Sequence, residues 1–119
     1  MAVSLLLVDD DDAFRSLAVG ILRAAGHRDV YEAKSVAWAL RAAAELRPAA
    51  ALVDIGLPDG DGFALARELA RLPDPPRVVL ISADADAGDE AAAQRVGAIG
   101  FLAKEELEGA RLRRLLDGS

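Results

Sequence analysis

The sequence predicts an α/β domain in which a parallel sheet is covered by helices on both faces. Three observations support this prediction. Short apolar runs alternate strictly with helical patterns, the 119 residues are enough for one domain, and 53 % of them are hydrophobic. Such alternation is typical of parallel strands joined by right-handed helical crossovers. We therefore expect residues 1–119 to form a single domain with a doubly wound, five-stranded parallel sheet and five helices.

The first strand, helix and second strand are predicted within residues 3–33. The continuous apolar run over residues 3–8 indicates a strand buried on both faces. Asp11 and Asp12 suit the start of the next helix, where negative charge meets the positive end of the helix dipole. That helix carries apolar residues at helical spacing before the stop at Gly26, namely Phe14, Leu17, Ala18, Ile21, Leu22 and Ala25. Residues 30–33 form the second predicted strand.

The middle of the chain predicts two helices around a third strand. Ser35 can cap the second helix, and Pro48 ends it. Its apolar face holds Val36, Leu40, Ala43 and Leu46. Residues 50–53 are the third strand, followed by a loop rich in Gly and Pro. The third helix is indicated by a stripe of Phe63, Ala66, Leu69 and Ala70.

The last part of the chain repeats the pattern twice. Prolines at 73, 75 and 76 break the chain before the fourth strand, residues 77–81. Residues 91–96 predict a fourth helix that ends at Gly97. Residues 98–102 make the fifth strand, and residues 105–116 the last helix.

Composition and charge exclude several classes of function. The absence of Cys excludes disulfides, thiolate metal sites and Cys nucleophiles. A net charge of -6 argues against contact with nucleic acid by this domain. The apolar runs are far shorter than the roughly 20 residues of a membrane span, and the N-terminal run is no signal peptide. We expect a cytoplasmic protein without membrane contact.

Charged and hydroxyl side chains follow the predicted strands where they end. Asp9 and Asp10 follow the first strand, Asp54 the third, Ser82 the fourth and Lys104 the fifth. The carboxyl ends of parallel strands share one edge, where open α/β sheets bind ligands. Three carboxylates there suit Mg²⁺, an ionised Asp is a possible nucleophile, and Lys is a cation for a phosphoryl group. The pattern indicates phosphoryl transfer.

The same residues lie in four segments that resemble a known family. These are Leu-Leu-Val-Asp-Asp at 6–10, Asp-Ile-Gly-Leu-Pro-Asp-Gly-Asp-Gly-Phe at 54–63, Ile-Ser-Ala at 81–83 and Gly-Phe-Leu-Ala-Lys at 100–104. In this order they are similar to receiver domains of two-component response regulators, over nearly the whole chain. The resemblance implies a flavodoxin-like fold with strand order 2-1-3-4-5.

The resemblance also implies a phosphoacceptor and a metal site. Asp54 would take a phosphoryl group from a histidine kinase, a phosphotransfer protein or a small donor such as acetyl phosphate. Asp9, Asp10 and Asp54, with the backbone carbonyl of Gly56, would hold Mg²⁺, or Mn²⁺ in its place.

Three further residues have implied roles in the response. Lys104 would contact the phosphoryl group, Ser82 would move toward it, and Phe101 would turn inward as the switch aromatic. The face formed by helix 4, strand 5 and helix 5 would then change its partner preference. A homodimer through that face is one implied outcome, and control of a downstream partner or output domain is another.

The chain departs from the family pattern after Lys104. Glu105 stands where the family usually has Pro, so we expect a trans Lys104–Glu105 bond and a different loop path. Gly56 and Asp84, each two residues past a site residue, flank the path of an attacking water in this family and should influence phosphoryl lifetime.

Two other functions stay open on the sequence alone. One is a pseudo-receiver, an interaction domain that keeps the fold without phosphorylation. The other is a small Mg²⁺-dependent phosphohydrolase with an Asp nucleophile, because Asp9 to Asp11 contain the Asp-x-Asp of haloacid-dehalogenase-type enzymes. The resemblance to receiver domains, by contrast, implies a protein that is not an enzyme and catalyses only its own phosphorylation and dephosphorylation.

Two residues outside these motifs are expected at the surface. His27 is expected to be a solvated loop residue, and Trp38 a half-covered surface ring.

Overall fold

The computed structural model describes residues 3–84 and 86–117, which form one five-stranded sheet with five helices. Counting only the strands of that sheet, these are β1 (Leu5–Val8), β2 (Val30–Ala33), β3 (Ala50–Asp54), β4 (Arg77–Ser82) and β5 (Gly100–Ala103). The helices are α1 (Asp12–Ala24), α2 (Val36–Leu46), α3 (Gly62–Ala70), α4 (Glu90–Arg95) and α5 (Ala110–Asp117). A short antiparallel hairpin pairs Gly56–Leu57 with Gly60–Asp61, and Lys104–Glu106 form a 3₁₀ turn. Among the described residues, no helix has the length and apolar character to cross a membrane.

The sheet order confirms the predicted topology. The strands lie in the order β2-β1-β3-β4-β5, and every neighbouring pair is parallel. The register aligns the carboxyl ends, because Val8 pairs with Val53, and Ser82 with Ala103. Residues that follow these strands are therefore brought to one edge.

The core has two layers, one on each side of the sheet. Alternate residues of a strand point to opposite faces, so Leu6 and Val8 face one layer while Leu5 and Leu7 face the other. Buried residues of α2, α3 and α4 complete the first layer, and those of α1 and α5 complete the second. Both faces are covered, as predicted, and the four residues of β1 have no exposed surface.

The fifth strand begins later than the sequence pattern predicted. The pattern predicts residue 98 in the strand, but β5 starts at Gly100. The amide of Ala98 donates to the carbonyl of Ala93, and Gly97 has φ +86°. This is the Schellman ending of a helix, so Ala98 belongs to the end of α4.

The final helix is shorter than predicted and is separated from Lys104. The pattern predicted one helix over residues 105–116, but the structure has a 3₁₀ turn followed by α5 from Ala110. The Glu106 carboxylate accepts a hydrogen bond from the Ala103 amide at 2.9 Å, and the amide of Gly109 donates to the carbonyl of Glu106. These bonds close the turn at Glu106. The Lys104–Glu105 bond is trans as predicted, as are the other peptide bonds of the described segments.

The prediction of a solvated His27 is wrong. Only 5 % of His27 is exposed, and its Nδ1 accepts a hydrogen bond from the Val3 amide at 3.1 Å. The amide of His27 donates to the Leu22 carbonyl, so His27 follows the glycine of another Schellman ending, a position that often packs back on the helix. Trp38 is 53 % exposed, as expected, with the Arg41 guanidinium 5.5 Å from its ring centroid.

Candidate functional site

The carboxyl edge of the sheet gathers an acidic cluster and a lysine. Asp9 and Asp54 are buried at the ends of β1 and β3, and Asp10 is exposed beside them. Lys104, just after β5, reaches both buried carboxylates. The four residues thus lie together at the edge where the sequence placed them.

Asp9 is fully buried and strongly held. Its Oδ1 accepts a hydrogen bond from the Asp11 amide at 2.9 Å. Its Oδ2 forms an ion pair with the Lys104 Nζ at 2.6 Å. The ammonium offsets the cost of burying this carboxylate, and its oxygens keep lone pairs for a further ligand.

Asp54 is an acid whose ionised form is disfavoured at rest. Burial, followed by repulsion from Asp9, raises the pKa of the Asp54 carboxyl. Hydrogen bonds from the Gly56 amide at 3.3 Å and from Lys104 at 3.3 Å lower it in part. Any cation added at this edge would favour the ionised form.

Lys104 balances the two buried carboxylates. Burial by itself lowers the pKa of the Lys104 ammonium, but hydrogen bonding and attraction to Asp9 and attraction to Asp54 outweigh it, so the pKa is raised. Its Nζ also lies 4.3 Å from the centroid of the Phe14 ring on α1. Lys104 is therefore a fixed cation that faces the acidic cluster.

The hairpin after β3 shapes the floor of the site. Gly62 leaves no room for a side chain, since a Cβ there would lie 2.4 Å from the Asp54 carbonyl oxygen. Gly56 is exposed, and a Cβ built on it meets no described atom within 4 Å. The position has room for a side chain, and the Gly56 amide contacts the Oδ1 of Asp54.

Ser82 and Phe101 are both buried, on β4 and β5. Ser82 ends β4 with 6 % exposure, and its hydroxyl oxygen accepts a hydrogen bond from the Asp84 amide at 3.0 Å. Phe101 is 5 % exposed, and a Cβ built on Gly88 would come within 3.0 Å of its ring. The Phe101 ring therefore lies inward in this structure, below the segment that leads to α4.

Two residues that the sequence analysis did not single out support the site. Arg15 on α1 donates to the backbone carbonyl of Asp9 at 2.8 Å. Asp59, in the hairpin loop, accepts hydrogen bonds from the amides of Val36 at 2.7 Å and Ala37 at 3.2 Å. The only local signal for Asp59 was its Pro-Asp-Gly turn, because its partners lie more than 20 residues away.

The acidic cluster fits a divalent cation. One carboxylate oxygen from each of Asp9, Asp10 and Asp54 lies within 4.8 Å of the others. The donors are all oxygen atoms, the set that Mg²⁺ prefers, and one belongs to an exposed residue, which allows bound water. Together these groups offer a nucleophile, a cation-binding set and a fixed ammonium.

Comparison with known proteins identifies relatives over almost the whole chain. A family model described as the response regulator receiver domain matches residues 5–117. The chain is 37 % identical over 101 residues to the KDP operon transcriptional regulatory protein KdpE of Escherichia coli, covering 85 % of the chain and 44 % of that protein. It is 38 % identical over 116 residues to the DNA-binding transcriptional activator DevR/DosR of Mycobacterium tuberculosis, covering 94 % and 52 %.

A solved structure shows the same fold. The structure of NtrX from Brucella abortus matches with a TM-score of 0.85 and 31 % identity, covering 99 % of the chain and 27 % of NtrX. The chain spans about half the length of the two curated relatives. These similarities favour neither the pseudo-receiver nor the phosphohydrolase alternative.

Proposed function

The chain belongs to the response regulator receiver domain family, and we propose that residues 1–119 form a phosphorylation-dependent signalling switch whose phosphoacceptor is Asp54. The observation that carries the proposal is the position of this carboxylate. It is buried at the edge of the sheet, with one oxygen 3.3 Å from the Lys104 ammonium and two further acidic residues beside it. A carboxylate held in this way is a suitable nucleophile for an aspartyl phosphate.

A divalent cation is part of the proposal. Asp9, Asp10 and Asp54, with the backbone carbonyl of Gly56, would hold Mg²⁺, and Mn²⁺ fits the same oxygen donors. When bound, the cation supplies positive charge that offsets the negative charge of the carboxylates and the incoming phosphoryl group. The raised pKa of the Asp54 carboxyl makes that charge useful, because it favours the ionised nucleophile.

The transfer step exchanges one bond to phosphorus for another. A carboxylate oxygen of Asp54 forms the new P–O bond while the bond from phosphorus to the donor breaks, and the donor leaves with that electron pair. The donor is a histidine kinase or phosphotransfer protein, or a small acyl phosphate. Lys104 offsets charge on the phosphoryl oxygens, and the Ser82 hydroxyl can donate a hydrogen bond to one of them.

The response is carried by the face made of α4, β5 and α5. Ser82 ends β4, Lys104 follows β5, and Phe101 lies within β5. The side chains proposed to respond to the phosphoryl group are therefore on or next to this face. We propose that phosphorylation changes this face, and thereby homodimerisation or control of a downstream partner or output domain. The domain itself turns over no external substrate.

The first test is the intact mass of the protein after incubation with acetyl phosphate and Mg²⁺. The wild type should gain the mass of one phosphoryl group, and the gain should be lost on omission of Mg²⁺ and in Asp54→Asn. Asp74→Asn is the matched control, since Asp74 is an exposed acid remote from the sheet edge with an ion pair to Arg47 at 3.7 Å. This control should gain the phosphoryl group like the wild type.

A folded wild type that gains no mass from fresh acetyl phosphate or from a phosphorylated histidine donor would contradict the proposal and favour a pseudo-receiver. A gain that persists in Asp54→Asn would place the acceptor elsewhere. Sustained release of phosphate from simple phosphate esters would instead indicate a phosphohydrolase.

A further inference from the structure

The side chain of Arg15 is the least expected component of the acidic edge. It lies in the second turn of α1, and only 14 % of it is exposed. Its guanidinium donates to three acceptors: the backbone carbonyl of Asp9 at 2.8 Å, the Asp12 carboxylate at 2.6 Å and the Glu32 carboxylate at 3.1 Å. A guanidinium that donates to three acceptors at once constrains the backbone that it touches.

The carbonyl of Asp9 needs a donor that the sheet does not supply. Val8 is the last residue of β1 paired with its neighbours on both sides. The amide of Asp9 still donates to Ala33 at 3.0 Å, but its carbonyl lies past the paired part of the strand. A buried backbone carbonyl without a donor is costly, and Arg15 provides the donor.

The other two bonds of Arg15 fix the guanidinium itself. Glu32 lies on β2, beside β1, and Asp12 begins α1. The planar guanidinium therefore joins the turn after β1 to the neighbouring strand and to the helix that follows. Lysine, with one ammonium group on a flexible stem, cannot reproduce this set of directions.

We infer that Arg15 is a positioning residue for the acidic edge, which orients the Asp9–Asp10 turn so that both carboxylates are presented to a divalent cation. The inference rests on the proposed function, since it concerns the same cation. Arg15 acts through the backbone of Asp9 and makes no contact with the cation itself. Partners that orient metal ligands typically alter metal affinity 10- to 100-fold when they are lost.

Charge and geometry predict opposite effects for the same substitution. Arg15 is a cation near the cluster, so its removal by Arg15→Gln would strengthen Mg²⁺ binding if charge alone mattered. If Arg15 positions Asp9 and Asp10, the same change weakens Mg²⁺ binding. Arg15→Lys keeps the charge and loses the planar geometry, so it weakens binding only in the positioning case.

The experiment is calorimetric titration of the full chain with Mg²⁺, at constant ionic strength, for the wild type, Arg15→Gln, Arg15→Lys and Arg23→Gln. Arg23 is an exposed arginine at the far end of α1 and serves as the matched control. We expect Arg15→Gln to bind Mg²⁺ about tenfold more weakly, Arg15→Lys to be weakened by a smaller factor, and Arg23→Gln to match the wild type.

A metal-free measurement accompanies the titration. The Asp11 amide donates to the Asp9 carboxylate, so its hydrogen exchange reports the geometry of the turn without Mg²⁺. It should exchange faster in both Arg15 variants, and as in the wild type in Arg23→Gln. Urea unfolding gives the folded fraction of each variant, so that affinity is compared for folded protein alone.

Unchanged or stronger Mg²⁺ binding in folded Arg15→Gln would overturn the inference, as would a wild type that binds no Mg²⁺. Unchanged binding in the Arg15 variants, with a wild type that accepts the phosphoryl group, removes this inference and leaves the proposed function. Weaker binding in both variants, with a wild type that is never phosphorylated, supports the inference and removes the proposed function.

Discussion

At the scale of single residues, Asp54 is placed where an ionised carboxylate is unfavourable. Burial and the nearby Asp9 raise the pKa of the Asp54 carboxyl above its ordinary value, and Lys104 compensates only in part. A group whose pKa is raised by folding stabilises the fold only while it is protonated, and this contribution is lost as the pH rises through the folded-state pKa. At neutral pH the metal-free domain therefore carries a cost at its own phosphoacceptor.

This cost predicts that Asp54→Asn stabilises the metal-free protein. In EDTA at pH 7, we expect the free energy of unfolding to rise by about 0.5–2 kcal/mol, the usual range for a single stabilising substitution. Urea titrations between pH 7 and pH 3 measure the effect. The difference should shrink as the pH falls, because Asp54 becomes protonated in the wild type, whereas Asp74→Asn should show little difference at either pH.

A variant that is less stable than the wild type at pH 7, or a difference that stays constant with pH, would contradict this account of Asp54. Lys104 keeps its 2.6 Å contact with Asp9 in the wild type, and we expect that contact to hold the ammonium in the variant as well.

The residues of the acidic edge could be predicted because they stand at the ends of apolar runs. The apolar run that ends at Val8 gives the position of Asp9, and the run that ends at Val53 gives that of Asp54. Arg15 could not be predicted in this way. Its place depends on the backbone carbonyl of Asp9 and on Glu32 of another strand, and neither contact leaves a periodic pattern in the sequence.

At the scale of elements, α2 is stabilised at its N-terminus by a loop far away in sequence. Ser35 accepts a hydrogen bond from the Trp38 amide at 3.2 Å, and Asp59 accepts those of Val36 and Ala37. Three of the amides that a helix start leaves unpaired are thus satisfied, and the negative charge suits the helix dipole. The bonds to Asp59 also join the hairpin that follows Asp54 to the N-terminus of α2.

The ionisation of Asp59 should make part of the stability of the folded domain depend on pH. The bond from Val36, with a further one from Ala37, holds the pKa of the Asp59 carboxyl below its ordinary value, against a small effect of burial. A lowered folded-state pKa stabilises the fold above the unfolded pKa, and this stabilisation is lost as the pH falls through the folded-state pKa.

We therefore expect Asp59→Ala to unfold at lower urea than the wild type at pH 7, and Asp59→Asn to lie between them. In acid, where the wild-type carboxyl is protonated, the wild type and Asp59→Asn should converge, while Asp59→Ala stays less stable because it has no acceptor for these amides. Asp74→Ala is the control for an exposed acid on another loop. A pH-independent difference between Asp59→Asn and the wild type would show that the charge of Asp59 does not stabilise α2.

The boundaries of elements were harder to predict than their order. The sequence pattern predicts residue 98 in the fifth strand, yet its amide completes the end of α4. Gly97 was the available signal, since the residue after such a glycine commonly returns a hydrogen bond to the helix. Gly109 marks the break in the last predicted helix in a similar way. The position of His27 in a loop after Gly26 suggested solvation, but the end of α1 returns this residue to the core.

At the scale of the whole molecule, the site and the core share the same sheet. β1 and β3 lie at the centre of the sheet, with core layers on both faces, and the strands continue directly into Asp9 and Asp54. A large displacement of Asp9 or Asp54 would therefore disrupt the ends of these central strands. A ligand that binds only the folded edge should therefore stabilise the whole domain, in one cooperative transition.

This connection predicts a specific effect of Mg²⁺ on global stability. At a free concentration ten times its dissociation constant, Mg²⁺ should raise the free energy of unfolding by about 1.4 kcal/mol, if it binds one site of the folded chain alone. Urea titrations with Mg²⁺ should be compared with urea titrations in NaCl at equal ionic strength, because a chain of net charge -6 is also stabilised by screening.

Asp10→Asn is the informative variant, since Asp10 is exposed and its change leaves the core intact. It should lose most of the Mg²⁺ effect and keep the NaCl effect, because screening acts on the whole charge while binding needs the third carboxylate. An equal stabilisation by NaCl and Mg²⁺ in the wild type would show that the acidic edge responds to ionic strength and does not bind the cation.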